Sequence, residues 1–158
     1  MYGVYNATHS APLDLLECVA GHCGVRTPPV RLLKDQWNRF IATQGPDARF
    51  LQICHSAGAI HVLNALCSSS RAIRDRIIVL AIAPAKIIPK IFCYRAYNYG
   101  SKQDLVPSLD LVGRARYSDQ IVMLEPHRGA PSNDHCFNSP TFHDIIKDTM
   151  TAYLLSSY

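Results

Sequence analysis

The stretch that decides the fold is Phe50-Leu51-Gln52-Ile53-Cys54-His55-Ser56-Ala57-Gly58-Ala59. An apolar run leads directly into Ser56, and residues 57–67 leave it with apolar side chains at helical spacing. This order predicts a strand, a sharp turn that carries the serine, and a helix. A serine at such a corner has a strained backbone. The residues two before and two after it approach each other, and Cys54 and Gly58 are both small enough for this.

A serine at this corner is suited to nucleophilic chemistry. Its hydroxyl projects above the edge of the sheet, and the backbone N–H of Ala57 points to where an oxyanion would form, at the start of the new helix. The pattern is the nucleophile elbow, usually G-x-S-x-G, with Cys54 in place of the first glycine. The simpler interpretation is a serine that only caps the following helix.

The segments on both sides of this turn alternate between strand-like and helix-like patterns. Continuous apolar runs predict strands, and 3.6-residue periodicity predicts helices. The predicted strands are residues 2–5, 49–54, 77–82, 91–97 and 121–124. The predicted helices are residues 12–21, 30–43, 57–67, a short one around 71–75, and 139–155. Apolar strands without alternation are typical of a parallel sheet that is buried on both faces. The expected fold is α/β, with three layers (α/β/α) and a mostly parallel sheet of about five strands. Residues 105–116 fit a helix and an irregular loop equally well.

Two further residues follow predicted strands in the positions that an elbow serine requires. Asp104 lies in a polar loop after the strand at 91–97, where the alternative is an Asx turn. His135 lies just before the closing helix, in the loop after the last strand, and can fold back over the sheet edge. His127 in the same loop is the second choice, and a solvated loop histidine is the alternative for either. The chain order Ser, Asp, His and the carboxyl ends of parallel strands together favour one site.

From residue 2 to its C terminus the chain resembles the second part of the α/β-hydrolase fold. The resemblance depends on the elbow at 54–58, the loop at 100–107 and the loop around His135. It implies a truncated α/β-hydrolase fold whose early strands are absent or lie upstream. Residues 4–10 and 53–59 also resemble a group of chlamydial proteins of this type.

The resemblance implies an esterase or lipase-like acyl hydrolase. His135 would take the proton of Ser56 as it attacks an acyl carbonyl, and Asp104 would hold the imidazole. The expected substrate is a small acyl or lipid-like molecule, and no metal or cofactor is expected.

The same resemblance implies an oxyanion hole with two backbone donors. One is the N–H of Ala57, directly after the serine. The second would come from Ala7 or Thr8, in the loop that follows the strand at 2–5.

The composition limits which classes of binding partner and which cellular compartment are expected. The net charge of +4 is mild and the basic residues are scattered without interleaved aromatics, so no nucleic-acid partner is expected. The longest apolar stretch, residues 77–88, is too short to cross a membrane and is interrupted by Pro84 and Lys86. Six cysteines in a chain without a signal peptide are expected to be reduced, which favours a cytoplasmic protein.

The length of 158 residues predicts one domain, residues 1–158. Strand-like residues begin at once, which favours the C-terminal part of a longer chain. The sequence leaves the oligomeric state open.

Two other functions compete with the hydrolase. One is a catalytically inactive α/β-hydrolase-like binding or scaffolding module, favoured by Cys54 at the elbow and by the missing early strands. The other is an α/β binding domain in which residues 56–59 cradle a phosphate, disfavoured because the loop has few glycines and no following Lys or Thr.

Overall fold

The computed structural model describes residues 27–155. Within this range four parallel strands form one sheet in the order β1-β2-β3-β4. The strands are β1 (Phe50–His55), β2 (Ile77–Ile82), β3 (Arg95–Ser101) and β4 (Ile121–Leu124). The α/β class and the parallel sheet are therefore confirmed. The predicted strand at residues 2–5 lies outside the described residues.

Five α-helices accompany the sheet in the described range: α1 (Pro28–Thr43), α2 (Gly58–Cys67), α3 (Arg71–Arg74), α4 (Leu111–Tyr117) and α5 (Pro140–Leu155). The ambiguous stretch 105–116 contains both predicted outcomes, a 3-10 turn at Val106–Leu109 followed by α4. The predicted helix at 12–21 lies outside the described residues. Among residues 27–155, no helix has the length and apolar character needed to span a membrane.

The core lies on both faces of the sheet, because the side chains of the fully buried strand β2 alternate between them. On one face, Ile77, Val79 and Ala81 pack against α1 and α2. On the other, Leu80 and Ile82 pack against Phe142 of α5. The indole Nε1 of the fully buried Trp37, in α1, donates a hydrogen bond to Gln52 Oε1 of β1 at 3.2 Å. Helices therefore cover the sheet from both sides.

The strand predicted at 91–97 is wrong in its position, because β3 begins at Arg95 and residues Lys90–Phe92 form a 3-10 turn. Along β3 exposed and buried residues alternate, and the inward side includes Asn98. A polar residue on the inward side lowers the apolar content of the true strand. The apolar residues just before β3 therefore matched the pattern of a buried strand better than the first residues of β3 did.

The connection from β2 to β3, residues 83–94, contains only that 3-10 turn, where parallel crossovers more often have an α-helix. Two buried polar side chains hold it in place. Asn98 accepts from Ile88 N at 2.9 Å and donates to Ile88 O at 3.0 Å. Asp110 Oδ2 accepts from Ile87 N at 2.9 Å. These bonds satisfy backbone groups that have no helical partner.

Candidate active site

Ser56 lies at a strained corner between β1 and α2. Its φ is 51°, in the left-handed region that non-glycine residues rarely adopt. The end of β2 holds this corner in place. Ser56 N donates to Ile82 O at 3.2 Å, and Ser56 O accepts from Ala85 N at 3.1 Å. Such strain costs on the order of 1–3 kcal/mol and persists only where the surroundings enforce it.

Cysteine is accommodated at the elbow position that usually has glycine. A Cβ atom added at Gly58 would lie 3.7 Å from the Cβ of Cys54, an ordinary van der Waals distance. The two positions therefore face each other, as predicted, and the cysteine leaves the turn intact. Burial, with a smaller effect of Cys93, raises the pKa of the Cys54 thiol to about 12. This thiol is therefore neutral and unsuited to act as a nucleophile.

The structure brings Ser56, His135 and Asp104 into one hydrogen-bonded chain. His135 Nε2 lies 2.9 Å from Ser56 Oγ, and His135 Nδ1 lies 2.8 Å from Asp104 Oδ2. A carboxylate only accepts, so the imidazole proton is assigned to Nδ1 and Nε2 is left to accept the serine hydroxyl. Asp104 is 2% exposed, and its Oδ1 accepts from Val106 N at 2.9 Å. The carboxylate is thereby held in its orientation toward His135.

The three side chains come from the same edge of the sheet. Ser56 directly follows β1, Asp104 follows β3, and His135 lies in the loop between β4 and α5. The second-choice histidine, His127, has another role. Its Nδ1 accepts from Gly129 N at 3.0 Å in an exposed local turn.

Backbone N–H groups are available beside the serine. Ala57 precedes the first residue of α2, where N–H groups lack helical partners. Among residues 27–155, the N–H of Ala57 has no acceptor. It is therefore free to donate to an oxygen atom bound beside Ser56 Oγ, such as the carbonyl oxygen of an acyl group that the serine would attack. The other predicted donors, Ala7 and Thr8, lie outside the described residues.

Asp134, which the sequence did not single out, anchors the loop of the histidine. It is fully buried and accepts hydrogen bonds from Ser139 Oγ and, at 2.6 Å, from Thr141 Oγ1. Burial alone would raise the pKa of this carboxyl. Hydrogen bonds from the Ser101, Ser139 and Thr141 hydroxyls, with nearby His127, outweigh that effect and lower the pKa. Asp134 is the residue directly before His135. It therefore ties the loop of His135 to the end of β3 and to the start of α5.

His55, the residue before the serine, also contacts the loop that carries His135. Its Nε2 lies 2.7 Å from the backbone carbonyl oxygen of His135. The two imidazole rings have centroids 4.8 Å apart, and the ring of Phe137 lies edge-on at 5.9 Å from His55. The sequence placed His55 in a strand but gave no indication of this partner.

Exposed apolar side chains lie close in sequence to two of the three residues. Leu105, directly after Asp104, is 75% exposed, and Phe137 is exposed two residues after His135. Phe137 also lines an open, mainly apolar groove of about 630 Å³ along α5, with Ile146, Met150 and Leu154.

Within residues 27–155, no group of three or more His, Cys, Asp or Glu side chains is arranged to hold a metal ion. Comparisons with protein-family models, with curated proteins and with solved structures find no match to this chain. Functional inference therefore depends on the geometry of the site.

Proposed function

We propose that this protein is a serine hydrolase that cleaves an ester or other acyl bond through a covalent acyl-enzyme. The observation that carries the proposal is the continuous chain from Asp104 through His135 to Ser56, with contacts of 2.8 and 2.9 Å. A helix-capping serine needs neither partner. The strained φ of Ser56 adds support, because strain of this kind clusters at functional sites.

The proposed reaction follows from the assigned positions of the Ser56 hydroxyl proton and the His135 Nδ1 proton. Ser56 Oγ attacks the acyl carbonyl carbon while its proton passes to His135 Nε2, and Asp104 stabilises the imidazolium. The N–H of Ala57 donates to the oxyanion, and one such donor contributes about 10²–10³ in rate. The proton on Nε2 then goes to the leaving alcohol or amine as the acyl bond breaks. A water molecule, deprotonated by His135, releases the acid and restores Ser56.

We assign the fold to the α/β-hydrolase type in truncated form. Support comes from the order of the parallel strands and from the nucleophile, acid and base that follow β1, β3 and β4. A small acyl or lipid-like substrate is supported by the exposed Leu105 and by the groove that begins at Phe137. The cytoplasmic location stays a prediction.

The two competing functions fit the site less well. An inactive module has no need of an oriented carboxylate, and its main support, Cys54, is weakened because the turn accommodates that residue. A phosphate cradle at residues 56–59 would place an anion beside the serine, whose hydroxyl is already engaged by His135, which in turn contacts the buried Asp104 carboxylate.

Mass spectrometry after incubation with a fluorophosphonate tests the proposal. We expect a single adduct on Ser56 in the wild type and none in S56A. The matched control is S132A, which removes an exposed loop serine and should be labelled like the wild type. A folded wild-type protein that takes up no label would overturn the hydrolase and favour the inactive module.

A further inference from the structure

We propose that His55 is a positioning residue that fixes the backbone of the catalytic base. It donates a hydrogen bond from Nε2 to the carbonyl oxygen of His135, at 2.7 Å, and so holds the imidazole of His135 in line with Ser56. The inference rests on the proposed function, since it gives His55 a role in the same site.

Side chains already tie the loop that carries His135 to the sheet, Asp134 through Ser101 and His135 through Asp104, and the bond from His55 adds an anchor on the backbone of the loop. Between β4 and α5, its backbone hydrogen bonds in the described structure are local, such as Ala130 N to His127 O and Ser139 N to Cys136 O. Bonds of this kind shape the loop but do not fix it relative to the sheet. The bond from His55 spans 80 residues of sequence and ties the loop to the strand that leads into Ser56.

His55 is itself rigidly held. It is the last residue of β1 and pairs in register with Ile82 of β2. The next backbone N–H, of Ser56, donates to Ile82 O. The end of β1 therefore positions both Ser56, the nucleophile, and His55, which donates to the backbone carbonyl of His135. Because the carbonyl and the side chain of His135 share one Cα, fixing the carbonyl restricts the direction of the imidazole.

The protonation of His55 suits this role. Burial has the largest effect and lowers its pKa; the nearby His135 lowers it further, and the hydrogen bond to the carbonyl and the charge of Asp104 partly offset this. The ring is therefore neutral at pH 7, with the proton on Nε2, since a carbonyl only accepts. A neutral donor adds no positive charge beside the imidazolium that forms on His135.

Three substitutions separate the donor from the packing of the ring. H55F keeps an aromatic ring beside Phe137 and removes the N–H. H55Q places an amide N–H at a similar reach, and H55N places one that is too short. If H55F does not fold, the pair H55Q and H55N still decides the question.

Two measurements are made on each folded variant. The first is the rate of labelling by a fluorophosphonate. The second is the low-field proton resonance of His135 Nδ1–H in its bond to Asp104, assigned by its loss in H135Q. This resonance does not require turnover.

We expect H55F and H55N to be labelled about 100-fold more slowly, as for a misplacement of about 1 Å, and to lose the resonance to exchange with water. H55Q should retain the resonance and most of the rate. Wild-type behaviour of H55F or H55N in both measurements would overturn the inference, as would an H55Q as impaired as H55N. If the wild type is not labelled, the proposed function fails. The proton resonance then decides the question alone. If H55Q retains the resonance and H55N loses it, the positioning role is supported. If H55N retains the resonance, the positioning role is refuted.

Discussion

Replacing the buried Asp134 with asparagine tests how the histidine loop is held. The carboxylate accepts from the hydroxyls of Ser139 and Thr141, on different oxygens. The Thr141 hydroxyl already accepts from His127 N, so its own proton is directed to Asp134. An amide of the same shape offers one oxygen, and its NH2 group would face one of the hydroxyl protons. At least one charge-assisted hydrogen bond is lost.

The expected cost follows from the number of bonds lost. A hydrogen bond to a charged group contributes about 1.5–3 kcal/mol, so the loss of one such bond in D134N should lower the free energy of unfolding by about 1.5–3 kcal/mol at pH 7. Domains of this kind have about 5–15 kcal/mol of stability, so the variant should still fold.

The cost should also depend on pH. The folded pKa of Asp134 lies below its ordinary value, which is about 3.9 in unfolded chains. The ionised carboxylate therefore stabilises the fold above that value, and this stabilisation is lost as the pH falls through the lower, folded pKa. The difference between the wild type and D134N should be constant from pH 5 to 7, about one unit or more above the unfolded value, and shrink below about pH 4.

Urea unfolding at several pH values, followed by the fluorescence of the single tryptophan, Trp37, measures the effect. The control is D119N, the same chemical change at an exposed position, which should alter stability by less than about 0.5 kcal/mol. An unchanged D134N at pH 7, or a difference that persists undiminished at pH 3, would refute the reasoning.

Three further predictions concern Asp104, the elbow and the cysteines. D104N should fold normally and be labelled by a fluorophosphonate about 10⁴-fold more slowly, because the imidazole then loses its tautomer; labelling at the wild-type rate would contradict the hydrogen-bonded chain. G58A should keep its labelling rate, since the added Cβ lies 3.7 Å from its nearest neighbour, and a melting curve should show a change of no more than about 1 kcal/mol. Among the four cysteines within residues 27–155, burial raises the pKa of the Cys54 and Cys93 thiols to about 12, so iodoacetamide at pH 8 should spare these two in the native protein. Peptide mass spectrometry should find alkylation at the exposed Cys67 and Cys136. Equal alkylation of all four would show that the buried thiols are accessible.

The turn at Ser56 could be predicted because its information is local. The strand, the corner and the helix occupy neighbouring residues, and small side chains at the two flanking positions are visible in the sequence. Asp104 and His135 could be predicted because each follows a strand, and parallel strands bring their carboxyl ends to one edge.

The remaining features depend on contacts that leave no mark on residue type. His55 binds a backbone carbonyl, which every residue has, 80 positions away. Asp134 binds three hydroxyls, at the end of β3 and at the start of α5, and none of these hydroxyls stands out in the sequence. The position of β3 was missed because the inward-facing Asn98 satisfies backbone groups of the loop at Ile88, a partner that periodicity does not reveal.

The bond between Ser56 and His135 closes a loop of 79 residues, and this distance has a consequence for how the chain folds. The contact of Trp37 with Gln52 closes only 15 residues. Long-range contacts form later because more chain must be ordered before they gain any stability. During refolding the tryptophan should reach its native surroundings first. Reactivity of the serine should appear last, when the whole sheet and its closing helix are assembled, so that an unfinished chain carries no active nucleophile.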